Sequence, residues 1–141
     1  MSIPFSGRFG RSGGVVSAIG KQLKGVNLKP VKRVTVTFDP FHENATATRD
    51  FLYFLTSPKI GRTNPGCVIK TDVVCDRRSP TVKFSFNPDA AEQAKIQSVT
   101  LKADNLTTLE LLQLCNKHIS VFAPKDEITV TKLETKSARR K

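Results

Sequence analysis

The chain has 141 residues, about one domain by the ~150-residue prior, and its hydrophobic content of 38% permits one modest core and no second catalytic lobe. Lys and Arg number 23 against 12 Asp and Glu, a formal charge of +11, which points to a polyanionic partner, either nucleic acid or an anionic membrane surface. No run approaches the ~18 consecutive apolar residues of a membrane span, and three cysteines, odd in number and without a close pair, argue against a secreted disulfide framework.

The charge is unevenly placed. From Met1 to Phe38 the basic residues Arg8, Arg11, Lys21, Lys24, Lys29, Lys32 and Arg33 meet no acid, and four glycines lie between Gly7 and Gly14. Residues 1–28 read as a basic extended N-terminal arm, because the mixed stretch from Val15 to Leu23 holds too little apolar surface to fold by itself. Three readings of the arm stay open: a mitochondrial targeting segment, a strand threading along phosphates, and a solubilising tail. A folded core is expected over residues 29–123. From Asp39 to Pro124 ten basic residues face nine acidic ones, so this core is close to neutral.

Arg33 to Phe38 alternates β-branched and polar residues, predicting a strand with Val34, Val36 and Phe38 on one face. Asp39-Pro40-Phe41-His42 is a turn, since Pro40 holds Asp39 extended and has no amide to donate. Asn44 is a candidate helix cap, and Ala47, Thr48, Phe51, Leu52, Phe54 and Leu55 carry a helical period to Ser57-Pro58. Phe51 and Phe54 cannot both face one narrow stripe with Leu52 and Leu55, so either the stripe is wide or an aromatic, with Tyr53 or Phe54 as the candidates, is left for a protein partner.

Lys59 to Gly66 is a loop; Cys67 to Cys75 and Thr81 to Phe86 are predicted strands, joined by five residues that allow a hairpin. Ile96 to Lys102 is a fourth strand. Thr107 and Glu110 have the spacing of a capping box, with Leu106 and Leu111 as its hydrophobic staple, and Leu109, Leu112, Cys115, Ile119 and Phe122 continue a helix toward Pro124. Residues 124–141 are a basic C-terminal tail ending in Arg139-Arg140-Lys141.

The order β-α-β-β-β-α predicts an α/β fold: a four-stranded mixed sheet with two main helices and basic N- and C-terminal extensions. This is the thioredoxin-like minimal layout, with a ferredoxin-like arrangement lacking one element as the other way to produce the same string.

No motif argues for an enzyme. A redox protein of this layout needs Cys-x-x-Cys at the start of its first helix, and Asp39 to Asn44 holds no cysteine. Cys67 and Cys75 read as core or half-buried thiols, Cys115 with His118 as a packed thiol beside a surface imidazole, and His42 as a loop residue without the partners of a general base. The glycine-rich segments lack phosphate-loop spacing. Neither cofactor, metal nor small-molecule substrate is expected.

Several pieces of the chain, taken together, form a pattern. Leu28-Lys29-Pro30-Val31-Lys32-Arg33-Val34, Phe38-Asp39-Pro40-Phe41, Thr48-Arg49 with Phe51-Leu52, the Thr63-Asn64 and Cys67 region, and Asn105-Leu106-Thr107-Thr108-Leu109-Glu110 with Leu112 and His118-Ile119 resemble the family of the mitochondrial large-subunit ribosomal protein numbered fifty-three. The resemblance runs from about Asn27 to Ser120. It implies a thioredoxin-like, non-catalytic subunit of the mitochondrial large ribosomal subunit in the matrix, near the base of the stalk that recruits translation factors. Its partners would be the large-subunit rRNA and neighbouring mitoribosomal proteins. Expected RNA contacts are Arg8, Arg11, Lys21, Lys24, Lys29, Lys32, Arg33, Arg139, Arg140 and Lys141; expected protein contacts are Tyr53 and Phe54. An accessory subunit of a respiratory complex is the alternative.

Overall fold

The computed structural model describes residues 14–123. In chain order its elements are α1 (Val15–Gly25), β1 (Val31–Phe38), α2 (Ala45–Leu55), α3 (Pro58–Gly61), β2 (Val68–Val73), β3 (Thr81–Phe86), α4 (Pro88–Ala94), β4 (Ser98–Lys102) and α5 (Thr108–His118), with a 3-10 turn at Ser120–Phe122. The strands form one mixed sheet in the order β2-β1-β3-β4, as the α/β expectation requires.

β1 is central because its alternation buries Val34, Val36 and Phe38 while both of its edges are free to pair. β2 runs parallel to it along one edge and β3 antiparallel along the other. The expected hairpin between β2 and β3 is therefore corrected: the two are separated by β1, and residues 74–80 cross over its end. The physical reason lies in Asp39. Its side chain is 2% exposed and accepts the Phe41 amide on Oδ1 and the Arg77 amide on Oδ2, each at 2.9 Å. One carboxylate thus ties the turn into α2 to the crossover, where Arg77 takes a left-handed φ of 52°. The Val74 amide donates to the Phe38 carbonyl at 3.1 Å and continues the β1–β2 ladder into the same loop.

α2 buries Ala45, Thr48, Phe51 and Leu55, and α5 buries Leu111, Leu112 and Cys115, so both helices lie against the Val34–Val36–Val82–Phe84 side of the sheet. The capping box of α5 is present. The Thr107 amide donates to Glu110 Oε2 at 2.8 Å, and the Glu110 amide to Thr107 Oγ1 at 3.4 Å. Hydrogen bonds from the Thr107 amide and hydroxyl hold the Glu110 carboxyl below the usual carboxylate range. That contribution is present at neutral pH and is lost as pH falls through the lowered value.

The extended N-terminal arm is corrected over residues 15–25, which form α1. Alone, this segment lacks the apolar surface to hold a helix; packed on α5, it gains Ile19 and Leu23 against the core. Asn116 Nδ2 also donates to the Gln22 carbonyl and to Gln22 Oε1, each at 2.9 Å. Val26 and Leu28 follow into the core. The chain between α1 and β1 is held by side chains from distant loops: Asn64 Nδ2 donates to the Leu28 and Val31 carbonyls at 2.9 and 2.7 Å, Thr63 Oγ1 accepts the Leu28 amide, and Asn87 Nδ2 donates to the Lys29 carbonyl. Further short helices, α3 and α4, fill loops that the sequence reading left without structure.

Two substitutions test these contacts. Asp39→Ala leaves the Phe41 and Arg77 amides without their acceptor and should cost about 2–4 kcal/mol in urea unfolding; a loss below about 1 kcal/mol would show that Asp39 is not the tie. Thr48 carries a buried hydroxyl with no hydrogen-bond partner. Thr48→Val removes that unsatisfied group at nearly constant volume and should raise stability by about 1 kcal/mol, whereas a decrease would mean that the hydroxyl is bonded in solution.

Candidate nucleic-acid interface

Successive strand residues point to opposite sides of a sheet, so the register of this one defines two very different surfaces. The side that packs on the helices is apolar at its centre, with Val34 and Val36 beside Phe84 and Val82. On the other side the register aligns three rows across β2, β1, β3 and β4: Val68, Arg33, Ser85 and Ser98; Lys70, Thr35, Lys83 and Thr100; and Asp72, Thr37, Thr81 and Lys102. All twelve side chains are half-buried or exposed, and among the described residues none belongs to the hydrophobic core. Among the described residues the fold is a two-layer sandwich with an open strand face of hydroxyls and cations.

A register shift between Val31 and Arg33 shapes one corner of this face. With one extra residue in β1, Val31 and Val34 both reach the core while Lys32 and Arg33 are both exposed. The face holds Arg33, Lys70, Lys83 and Lys102 against one acid, Asp72, which pairs with Lys70 at 3.0 Å. Arg33, Lys83 and Lys102 make no ion pair among the described residues. Most other carboxylates sit away from it: Glu43 and Asp50 at α2, Asp89 and Glu92 on α4, and Asp104 and Glu110 at the start of α5. The strand face is therefore mostly cationic, whereas the helical side carries both signs, with Lys21, Lys24, Arg49, Lys59, Lys95 and Lys117 among its carboxylates.

The residues expected to meet RNA separate into groups. Lys32 and Arg33 border or belong to the strand face. Lys21 and Lys24 are exposed on α1, in the helical layer, and are not gathered with them. Lys29 is half-buried beside the clamped backbone at the start of β1. Arg8, Arg11, Arg139, Arg140 and Lys141 lie outside the described residues. Sequence reasoning missed Lys70, Lys83 and Lys102. The signal was present in the strands themselves: Lys83 sits between Val82 and Phe84, and polar positions alternate with apolar ones in β3 and β4.

Tyr53 is 75% exposed and Phe54 half-buried, their rings edge to face at 5.7 Å and 63° beside a groove between α1 and the α2–α3 corner. Phe51, by contrast, is fully buried. Phe41, placed only in a turn by its sequence, is 87% exposed. Cys115 is buried and Cys67 half-buried, while Cys75 lies exposed beyond the end of β2, which corrects the expectation of a core or half-buried thiol there. Burial pushes the Cys67 thiol up and that of Cys115 up to about 12. His42 accepts the Asn44 amide on Nδ1 and stands 3.9 Å from Asp104. Among the described residues no group of three His, Cys, Asp or Glu is placed to hold a metal, and no helix is long and apolar enough to cross a membrane.

A family model described as 39S ribosomal protein L53/MRP-L53 matches residues 38–88. The match opens at Phe38, the last residue of β1, and runs through Asp39, α2, Asn64, β2, the crossover and β3 into the start of α4. It spans the carboxylate tie, the Asn64 clamp, and Lys70 and Lys83 of the strand face. The match covers residues 38–88 of the 141-residue chain and supports placing it with this family of mitochondrial large-subunit ribosomal proteins, whose place is the mitoribosome of the matrix.

Proposed function

We propose that the protein is a structural constituent of the large subunit that seats its folded block on rRNA backbone through the open strand face. The observation that carries this reading is the segregation of Arg33, Lys70, Lys83 and Lys102, among serine and threonine hydroxyls, onto the uncovered side of the sheet. Ammonium and guanidinium groups release counterions from phosphates, while hydroxyls donate to phosphate oxygens and ribose. Such contacts set position and orientation without reading base sequence, which suits a constituent held in one place. Lys21, Lys24, Lys29 and Lys32, with Arg8 and Arg11 before them and Arg139, Arg140 and Lys141 after, extend the cationic contact beyond the face. The family resemblance supports a seat near the stalk base, and the family match favours the ribosome over a respiratory complex.

The sheet order β2-β1-β3-β4, with only β3 reversed, supports reading the block as thioredoxin-like. Its thiols support a non-catalytic version of that layout. A group pushed up to about 12 holds almost no thiolate at neutral pH, and Cys115 is enclosed by the core rather than presented at a helix start.

Two measurements test these readings. The triple variant Arg33→Gln, Lys83→Gln, Lys102→Gln changes exposed side chains without ion pairs, so thermal stability should stay within about 0.5 kcal/mol. Its binding to large-subunit rRNA should lose about 2 to 3 from the slope of log affinity against log salt. An unchanged slope would overturn the strand-face interface. A parallel truncation should end at residue 13, because α1 belongs to the folded block. In the native protein at pH 8, an alkylating reagent should modify Cys75 first and Cys67 more slowly, leaving Cys115 until the chain is unfolded; rapid native labelling of Cys115 would refute the inert-thiol reading.

A further inference from the structure

The strand face carries a second regularity beside its charge. Of its twelve side chains six are hydroxyls, Thr35, Thr37, Thr81, Ser85, Ser98 and Thr100, and none is an aromatic ring or an imidazole. The rings that these strands do carry, Phe38, Phe84 and Phe86, are all buried on the helical side. None of the six hydroxyls bonds a protein group among the described residues, whereas those of Thr56, Thr63, Thr107 and Ser120 elsewhere in the chain do. Lys70 and Lys102 stand on the two outer strands, β2 and β4, which strand spacing puts roughly 14 Å apart. Thr35, Thr37, Thr81 and Ser85 fill the inner strands between them, together with Arg33 and Lys83. Val68, at one corner, is the only apolar side chain of the twelve.

We propose that the strand face takes the minor groove of an A-form RNA duplex, with Arg33, Lys70, Lys83 and Lys102 on phosphates at the edges of the groove and the inner-strand hydroxyls on ribose 2′-hydroxyls between them. This assignment rests on the rRNA reading above and names the form of RNA that the face accepts. In a duplex the bases stack on one another, and a protein meets a wide, shallow groove displaying 2′-hydroxyls. A Thr or Ser hydroxyl both donates and accepts, as a 2′-hydroxyl does, so the two pair in either sense. An unpaired strand instead binds by laying its bases on aromatic rings or guanidinium planes, and of these the face offers Arg33 alone. The centre of a protein interface is built on apolar and aromatic anchors, for which Val68 is the single candidate. The chain's own residues 124–141 are opposed by charge, six basic against three acidic, and their Ile128, Val130 and Leu133 would lie against hydroxyls and cations.

The test titrates the full chain against three probes of one sequence and length: an RNA duplex, the matching DNA duplex and a single RNA strand. The RNA duplex should bind about tenfold more tightly than either of the others at equal salt, the yield of two or three net hydrogen bonds. Thr35→Val with Thr37→Val removes two hydroxyls at nearly constant shape, so the melting temperature should stay within about 3 °C. Affinity for the RNA duplex should then fall about tenfold, to the DNA level, with the slope of log affinity against log salt unchanged. Equal affinity for the three probes, a preference for the single strand or for DNA, or an undiminished preference for duplex RNA in the valine variant would each overturn the duplex assignment. In any of those cases a salt slope lowered by Arg33→Gln, Lys83→Gln, Lys102→Gln leaves the rRNA interface standing. A slope that does not change removes both, the result expected of a face covered by a carboxylate-bearing protein or by the chain's own residues 126–134.

Discussion

The carboxylate of Asp39 is the contact on which the arrangement of strands turns. β1 is one of the two inner strands of the described sheet, with parallel β2 on one edge and antiparallel β3 on the other. Such a strand needs its chain ends disposed of without blocking either edge. At its C-terminal end Asp39 accepts two backbone amides from segments that lead to α2 and away from β2. At its N-terminal end Asn64 and Asn87 take up the carbonyls of Leu28, Lys29 and Val31. Buried backbone groups must find partners, and here the partners are single side chains from distant loops, so local irregularity is converted into long-range order.

The motifs behind the family resemblance coincide with these ties. Lys29-Pro30 marks the clamped stretch before β1, Asp39-Pro40 the tie after it, Thr63-Asn64 the clamp itself, and Thr107 to Glu110 the cap of α5. They are residues that hold a frame together. The surfaces available for contact lie elsewhere, on positions whose identity is less constrained by packing.

Placing the described helices on one side of the sheet is what leaves the other side polar. A sheet covered on both faces would read as continuous apolar strands; here the alternation in β1 and β3 is that of a half-buried sheet, with Lys83 and Thr35 opposite the side that holds Phe84 and Val36. The same partition shapes the charge: the strand face carries Arg33, Lys70, Lys83 and Lys102 against Asp72 alone, while the helical side mixes cations with most of the carboxylates. The α1–α2 groove is a separate feature, formed where α1 docks on α5 and a Cβ at Gly20 would meet no heavy atom within 4 Å among the described residues.

Local pattern determined much of this protein. The period-2 runs of β1 and β3, the helix of α2 with Phe51 inward and Tyr53 outward, and the capping box of α5 follow from residues a few positions apart, and all are present. The absence of a Cys-x-x-Cys before α2 is equally a fact of sequence. What only the tertiary structure decided depends on residues far apart in the chain. α1 exists because α5 offers it a surface, with Asn116 bonding Gln22 across 94 positions. The hairpin between β2 and β3 fails because β1 takes both pairing edges. Lys70, Lys83 and Lys102 come to share one face with Arg33 because strand order and register align them, which composition alone could not show. Periodicity reports which way a side chain faces within its own element; which elements share that face is settled by packing.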